Sequence, residues 1–311
     1  MIIGSTGIVV DHYGDVLLIQ RDDTRTLAPP GGAANIGELP PDTAVREVRE
    51  ETGLVVMAVR LVGIYYLPTQ PNDYFSFCFR CIMRGGEITT SAESPHVGFF
   101  KTNPLPEPML DFHQERIERS LAHQGGAPYW GANNLSTRLR LGHLFMNRLI
   151  YPWLDLRRRR ASLAAYEPPP SWQAHAAVII HDDQERILWT RERDSESWTL
   201  PGGTSRPKEP PWTTAERCIE EKAGISARLS GLSGVYPNSN KPEMTFSFIG
   251  ESVDESSVIL AAEAAYFAPG HEPAEAKAEH VSIVQDAVEF TEQTNFRLLD
   301  LLPDKKNSKP D

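Results

Sequence analysis

Apolar and polar residues alternate in short runs at both ends of the chain. Gly7–Val10 and Val16–Gln20 are β-rich, further strands are predicted near Val55–Tyr66 and Phe75–Met83, and Phe99-Phe100 reads as the end of another. Pro29-Pro30-Gly31-Gly32 forms a loop that leads into a predicted helix. A closing helix covers roughly Leu110–Ala122, with Leu110, His113, Ile117 and Leu121 at helical spacing. Strands mixed with two helices imply layered helix–sheet–helix packing.

The pattern then recurs. Leu27-Ala28-Pro29-Pro30-Gly31-Gly32 matches Trp198-Thr199-Leu200-Pro201-Gly202-Gly203 at an offset of 171. Gly63-Ile64-Tyr65 matches Gly234-Val235-Tyr236, and Phe75-Ser76-Phe77 matches Phe246-Ser247-Phe248, both at 171. Phe99-Phe100 and His113 match Tyr266-Phe267 and His280 at 167. Two copies of one domain are therefore expected, over residues 1–125 and 173–300. Residues 126–172 differ: seven arginines face only Asp155 and Glu167. There Ser136 is positioned to cap a helix carrying Leu141, Leu144, Phe145 and Leu149, which Pro152 stops or kinks. Pro168-Pro169-Pro170 reads as a stiff connector, and residues 301–311 as a flexible tail.

With 311 residues and a net charge of −11, the chain has room for two cores and is not a default nucleic-acid binder. Cys78, Cys81 and Cys218 are too few for a disulfide framework and fit a reducing compartment. Cys78 and Cys81 spell C-x-x-C, but three positions apart on a strand they point to opposite faces. No basic residue precedes Arg21, and no apolar stretch approaches the ~18 residues of a membrane span. A soluble, cytoplasmic protein is expected.

The candidate chemistry lies between residues 32 and 54. On a helix, Glu47, Glu50 and Glu51 sit on one face within one turn. Converging carboxylates repel, and a hard divalent cation offsets that repulsion most directly. Arg46 adjoins them and can orient a carboxylate by charge-assisted hydrogen bonds. A solvated acidic helix face would look the same. The preceding Gly31-Gly32, which permits close backbone approach, and Gly53, a helix stop, shift the balance toward a metal site.

Gly32 to Leu54 matches the Nudix box, G-x5-E-x7-R-E-U-x-E-E-x-G-U with U a bulky aliphatic residue, at every specified position. The chain thus resembles tandem Nudix hydrolases. The resemblance implies two α/β/α sandwich domains with mixed sheets, and hydrolysis of a nucleoside diphosphate linked to another moiety. By position it makes Glu47, Glu50 and Glu51 ligands of Mg²⁺ (Mn²⁺ as a substitute), Gly32 a backbone carbonyl ligand, Arg46 the residue orienting the carboxylates, and Glu38 and Gly53 structural members of the box.

The second box, residues 203–225, keeps the spacing with Gly203, Glu209, Arg217, Glu221 and Gly224, but Cys218 replaces Glu47 and Lys222 replaces Glu51. An ammonium beside a divalent cation is repulsive, and a neutral thiol is a poor Mg²⁺ ligand. This copy is expected to lack metal catalysis and to serve as a built-in partner for the first, or as a ligand-binding regulatory domain.

Weaker features complete the picture. Arg21 and Arg25 precede the glycine loop and are candidates to meet phosphate or ribose, and Tyr66 to stack on a base; surface arginines and strand aromatics are the bland alternatives. His96 stands where the second copy has Glu263, and a structural substitution is favoured over a base there. His113 is expected to pack or cap, since His280 recurs in the damaged copy. Pro68, fifteen residues beyond Gly53, resembles a cue for ADP-ribose-type substrates. Arg157–Arg160 is expected to be an interdomain strut facing acidic surfaces, with anionic membranes or RNA as the lesser option.

The expected function is an Mg²⁺-dependent pyrophosphohydrolase acting on ADP-ribose, NAD-like dinucleotides or nucleoside triphosphates. The alternative is a non-catalytic nucleotide-sensing regulator. Expected partners are a small nucleotide, with no stable nucleic-acid complex, and either intramolecular pairing of the two domains or a homodimer.

Overall fold

The computed structural model describes residues 1–22, 24–69, 72–90, 94–133, 168–193, 195–253, 262–290 and 293–299. The Arg157–Arg160 run, the helix expected after Ser136 and the tail 301–311 lie outside the described residues.

In the first half, β1 (Ile2–Val9), β4 (Gly31–Ala33), β5 (Leu54–Leu67), β6 (Tyr74–Gly86) and β8 (Tyr129–Ala132) form a mixed sheet in the order β4-β1-β6-β5-β8. A smaller sheet joins β2 (Val16–Gln20), β3 (Leu27–Ala28) and β7 (His96–Phe100) in the order β3-β2-β7. β1 begins five residues earlier than expected, because Gly4, Ser5 and Thr6 disguise it. Gly4 is needed there: the Gly32 carbonyl of the neighbouring β4 lies where a side chain on residue 4 would stand. The sheet also runs past residue 125, since β8 pairs parallel with β5.

Helix α1 (Pro40–Thr52) starts at a proline, whose missing N–H costs nothing in the first turn. It buries Ala44, Val48 and Thr52, one side at a period of four, and ends at Gly53, whose φ of 76° favours glycine. Helix α2 (Asp111–Ala122) covers the other face of the sheet through Ile117, which joins Tyr65, Cys78 and Ile8 in one cluster. Cys81 lies in a different cluster with Val48, so the two thiols do occupy opposite faces. Both are free and buried.

The second half repeats this plan. β9 (Gln173–Ile180), β11 (Gly202–Thr204), β12 (Ala227–Pro237), β13 (Glu243–Ser252) and β15 (Asn295–Phe296) follow the order β11-β9-β13-β12-β15, and β10 (Ile187–Glu192) pairs with β14 (Ala262–Phe267). Its helices are α3 (Pro211–Ala223) and α4 (Ala278–Val288).

Strand register corrects one expected match. Ser5 lies opposite Phe77, and its counterpart Ala176 lies opposite Phe246. Phe77 therefore corresponds to Phe246, two positions off the match expected from Phe-Ser-Phe. The cause is the hairpin turn: Tyr66 pairs with Phe75, whereas Pro237 pairs with Met244, a shorter connection.

With that register the halves meet about a local two-fold axis. The equivalent residues Phe77 and Phe246 stack on each other, with centroids 5.9 Å apart and planes 3° apart. Phe79 meets Phe296 at 5.6 Å, and the equivalent pair Phe248 and Trp130 meets at 6.1 Å. Met1 and Trp172, also equivalent, exchange backbone hydrogen bonds of 3.0 and 2.7 Å. One cluster of buried residues runs through both halves. Such an interface is isologous, like that of a symmetric dimer, although both sides belong to one chain.

Candidate active site

The loop from Ala34 to Leu39 delivers the chain from β4 to α1, and the site is assembled around that junction. Gly31 abuts the Ser5 carbonyl, 2.5 Å from where its Cβ would be. At Gly32 the same ideal Cβ would stand 2.5 Å from Cδ of Glu47. A bare backbone is thus what allows the Glu47 carboxylate to lie flat on the strand. Glu51, one turn further along α1, accepts the Gly31 N–H at 2.8 Å. Glu50 is the most exposed of the three carboxylates.

Arg46 binds the box together. Its Nε and Nη2 donate to the two carboxylate oxygens of Glu38 at 2.7 and 2.9 Å, and Nη2 also donates to the Ala33 carbonyl at 2.9 Å. Its Nη1 donates to Glu47 at 2.7 Å and Glu50 at 3.1 Å. The fork of the guanidinium serves loop and helix at once. Burial opposes ionisation of Glu38, but the bonds from Arg46 and the Asn35 N–H outweigh it and hold this carboxyl below its ordinary range. For Glu47 burial prevails over Arg46 and pushes the carboxyl up. Its side chain is only 13% exposed.

The second half provides an internal comparison. Arg217 donates from Nε and Nη2 to Glu209 at 2.7 and 2.9 Å, and from Nη2 to the Thr204 carbonyl at 3.1 Å. The arginine–glutamate clamp is therefore the same where the ligand positions are lost. Cys218 Sγ occupies the place of the Glu47 carboxylate, 2.9 Å from an ideal Cβ on Gly203. Lys222, in the place of Glu51, pairs with Glu192 at 2.7 Å. Glu192 in turn stands where the first half has Arg21, so the two charges are exchanged between the copies. Arg191 holds Glu263, donating from Nε at 3.0 Å. Every charged group in the second cleft named here is thus neutralised by a neighbour.

The other expected residues are scattered. Arg21 is exposed at the end of β2. Arg25 is exposed, has a φ of 57° and pairs with Asp22 at 3.2 Å. Tyr66, expected at the substrate, is 2% exposed and packs edge-on against Trp212 of the second half at 6.4 Å. It belongs to the interface, because an even number of strand positions separates it from Ile64 on the face turned to the other copy. His96 is exposed opposite Gln20. His113 lies on α2 with Nδ1 enclosed and unbonded, whereas His280 Nδ1 accepts the Leu200 N–H at 2.9 Å. Pro29 occupies the Leu200 position in the first half and has no N–H to give.

Among the described residues, no three acidic, histidine or cysteine side chains converge into a ready metal cage. Glu47 and Glu50 are turned to Arg46, and Glu51 to Gly31. The donor set nonetheless suits a hard cation: three carboxylates share one turn, and the inner one is buried beyond what Arg46 compensates. No helix is long and apolar enough to cross a membrane, among the described residues.

A single family model matches both halves. The NUDIX domain family matches residues 3–121 and 171–292. A MutT-like protein of Streptomyces ambofaciens is 34% identical over 123 residues, covering 40% of this chain and 77% of that protein. An ADP-ribose pyrophosphatase of Methanocaldococcus jannaschii is 32% identical over 114 residues, covering 35% of this chain and 66% of that protein. Among solved structures, an ADP-ribose pyrophosphatase of Streptococcus suis shares 25% identity with a TM-score of 0.36, covering 42% of this chain and 98% of that one.

Proposed function

The chain belongs to the Nudix family, and from that premise we propose that its first half is a Mg²⁺-dependent pyrophosphohydrolase acting on a nucleoside diphosphate derivative. The observation that carries the proposal is the placement of Glu47, Glu50 and Glu51 on one turn of α1, with Glu47 lying on the bare backbone of Gly32. Glu47, Glu50 and Glu51 would hold the ion, after turning from Arg46 and from the Gly31 N–H. A bound divalent cation supplies charge neutralisation for the diphosphate and activates water. Arg46, anchored by Glu38, sets the orientation of the helix carboxylates and stays paired when they turn. A glutamate within hydrogen-bond reach accepts the proton of the attacking water. The second half keeps the clamp without the ligands, and its role is to complete the interface rather than to hydrolyse.

The experiment is a phosphate-release screen with Mg²⁺ over diphosphate substrates, beginning with ADP-ribose because named relatives act on it. Glu51→Gln is the control: it is expected to fold normally and lose hydrolysis by orders of magnitude. Turnover near that of the unaltered protein would contradict the assignment.

A further inference from the structure

The turns that carry the clamp glutamates have the same frame in both halves and different surroundings. In the first half the Glu38 N–H donates to the Asn35 carbonyl at 3.1 Å, and the Asn35 N–H donates to the Glu38 carboxylate at 2.9 Å. Glu209 and Arg206 repeat these two bonds in the second half at 3.0 and 2.8 Å. The third residue of each turn is left-handed, Gly37 with a φ of 78° and Lys208 with a φ of 65°. Lys208 is exposed and carries a full side chain there, so the turn by itself does not demand glycine.

What demands glycine at residue 37 is the other half of the molecule. An ideal Cβ on Gly37 would stand 2.7 Å from the carbonyl oxygen of Ser239, and 3.4 and 3.5 Å from its carbonyl carbon and Cα. Ser239 belongs to the hairpin between β12 and β13. The backbone of the second half therefore lies against the turn that holds Glu38. Main-chain atoms cannot swing aside as the end of a side chain can. This hairpin is also braced by its own bonds. Asn238 Oδ1 accepts the N–H groups of Asn240 and Lys241, each at 2.9 Å, and Asn240 Nδ2 donates to Ser239 Oγ at 2.7 Å. The Asn238 N–H donates to the Glu243 carbonyl at 2.9 Å, closing the loop at its base.

Only two links separate this contact from the candidate ligands. Gly37 precedes Glu38, Glu38 takes two bonds from Arg46, and Arg46 holds Glu47 and Glu50. A turn that moves carries the anchor of Arg46 with it.

We propose that the β12–β13 hairpin is a positioning element for the first cleft. The Ser239 backbone fixes the Asn35–Glu38 turn, and through it the Glu38–Arg46 anchor, so that the copy without the ligand set holds the geometry of the copy that has it. Resting on the hydrolase assigned above, this gives the second half a part in the reaction without a substrate of its own. Gly37, Asn238 and Ser239 are positioning residues.

The test uses the full chain with Gly37→Ala, Asn238→Ala, both together, and Lys208→Ala as the matched control. Hydrogen exchange over residues 33–39 and steady-state hydrolysis of ADP-ribose are measured well below the melting temperature of each variant. Restoring an ordinary separation of about 3.5 Å moves the turn or the hairpin by nearly 1 Å. A shift of about 1 Å at a reacting group costs on the order of 100-fold, and one passed on through Glu38 and Arg46 is expected to lower kcat about tenfold, with KM little changed. Asn238→Ala loosens the hairpin and should speed exchange over residues 33–39 severalfold while lowering kcat. Lys208→Ala should leave both unaltered. The double variant should lose less than the product of the two single losses, because a loosened hairpin gives way to the new methyl. Unchanged exchange over residues 33–39 in Asn238→Ala, losses that simply multiply, or an equal fall in kcat with Lys208→Ala would overturn the inference. If the unaltered protein turns over no diphosphate substrate while Asn238→Ala still exposes residues 33–39 to exchange, the hydrolase assignment alone fails and the contact stands.

Discussion

Gly32→Ala tests the geometry of the site with a single methyl group. The new Cβ would stand 2.5 Å from Cδ of Glu47 and 2.6 Å from each carboxylate oxygen. Ordinary non-bonded separations are about 3.5 Å, so the carboxylate has to recede by about 1 Å. That stretches its 2.7 Å bond to Arg46 past the limit of a hydrogen bond. Because Glu47 ends in a flexible side chain, the loss in stability is modest, about 1–2 kcal/mol. Catalysis is far less tolerant: misplacing a reacting group by about 1 Å costs on the order of 100-fold. Gly203→Ala is the matched control. It crowds Cys218 Sγ at 2.9 Å, a similar steric insult in a cleft without the ligand set. Steady-state hydrolysis and thermal melting on both variants separate the two effects. The expectation is comparable small losses of stability and a roughly 100-fold loss of kcat confined to Gly32→Ala. Normal turnover in Gly32→Ala would refute the role given to Glu47, and equal loss in both variants would trace the effect to folding.

Other expectations follow from the rest of the structure. Arg217 holds Glu209 down to about 2, against an ordinary value of 4.5. Stability from this pair is therefore complete above pH 4.5 and is lost as pH falls toward 2. Glu209→Gln should melt below the unaltered protein at neutral pH, with the gap narrowing below pH 4.5; a gap independent of pH would count against it. Phe77→Ala removes the ring stacked on Phe246 at the two-fold axis and should lower unfolding stability by about 3–5 kcal/mol in urea titrations. A change below about 1 kcal/mol would show that the halves do not depend on this contact.

Much of the fold was legible because its signals are local. The glycine before α1, the left-handed Gly53 after it and the acidic turn between are fixed by backbone geometry within one segment, and the repeat preserves their spacing. The strand start at Ile2 was hidden, since Gly4 is there to admit the Gly32 carbonyl and carries no apolar signal of its own. The Phe-Ser-Phe match erred by two because alternate strand positions share a face: a slip of two keeps every aromatic ring on the correct side. β8 was missed because its partner strand is distant in sequence and its four residues carry too little pattern. Tyr66 was drawn to the substrate by its residue type, whereas contact with Trp212 depends on how two copies dock.

The central claim is that divalent ions are held by the acidic turn of the first half and not by its counterpart. Mn²⁺ titration of the full chain, followed by electron paramagnetic resonance, tests it most directly. Binding is expected to disappear with Glu47→Gln combined with Glu51→Gln, and to persist unchanged with Glu221→Gln in the second half. Binding that survives the first pair, or that falls with Glu221→Gln, would contradict the claim.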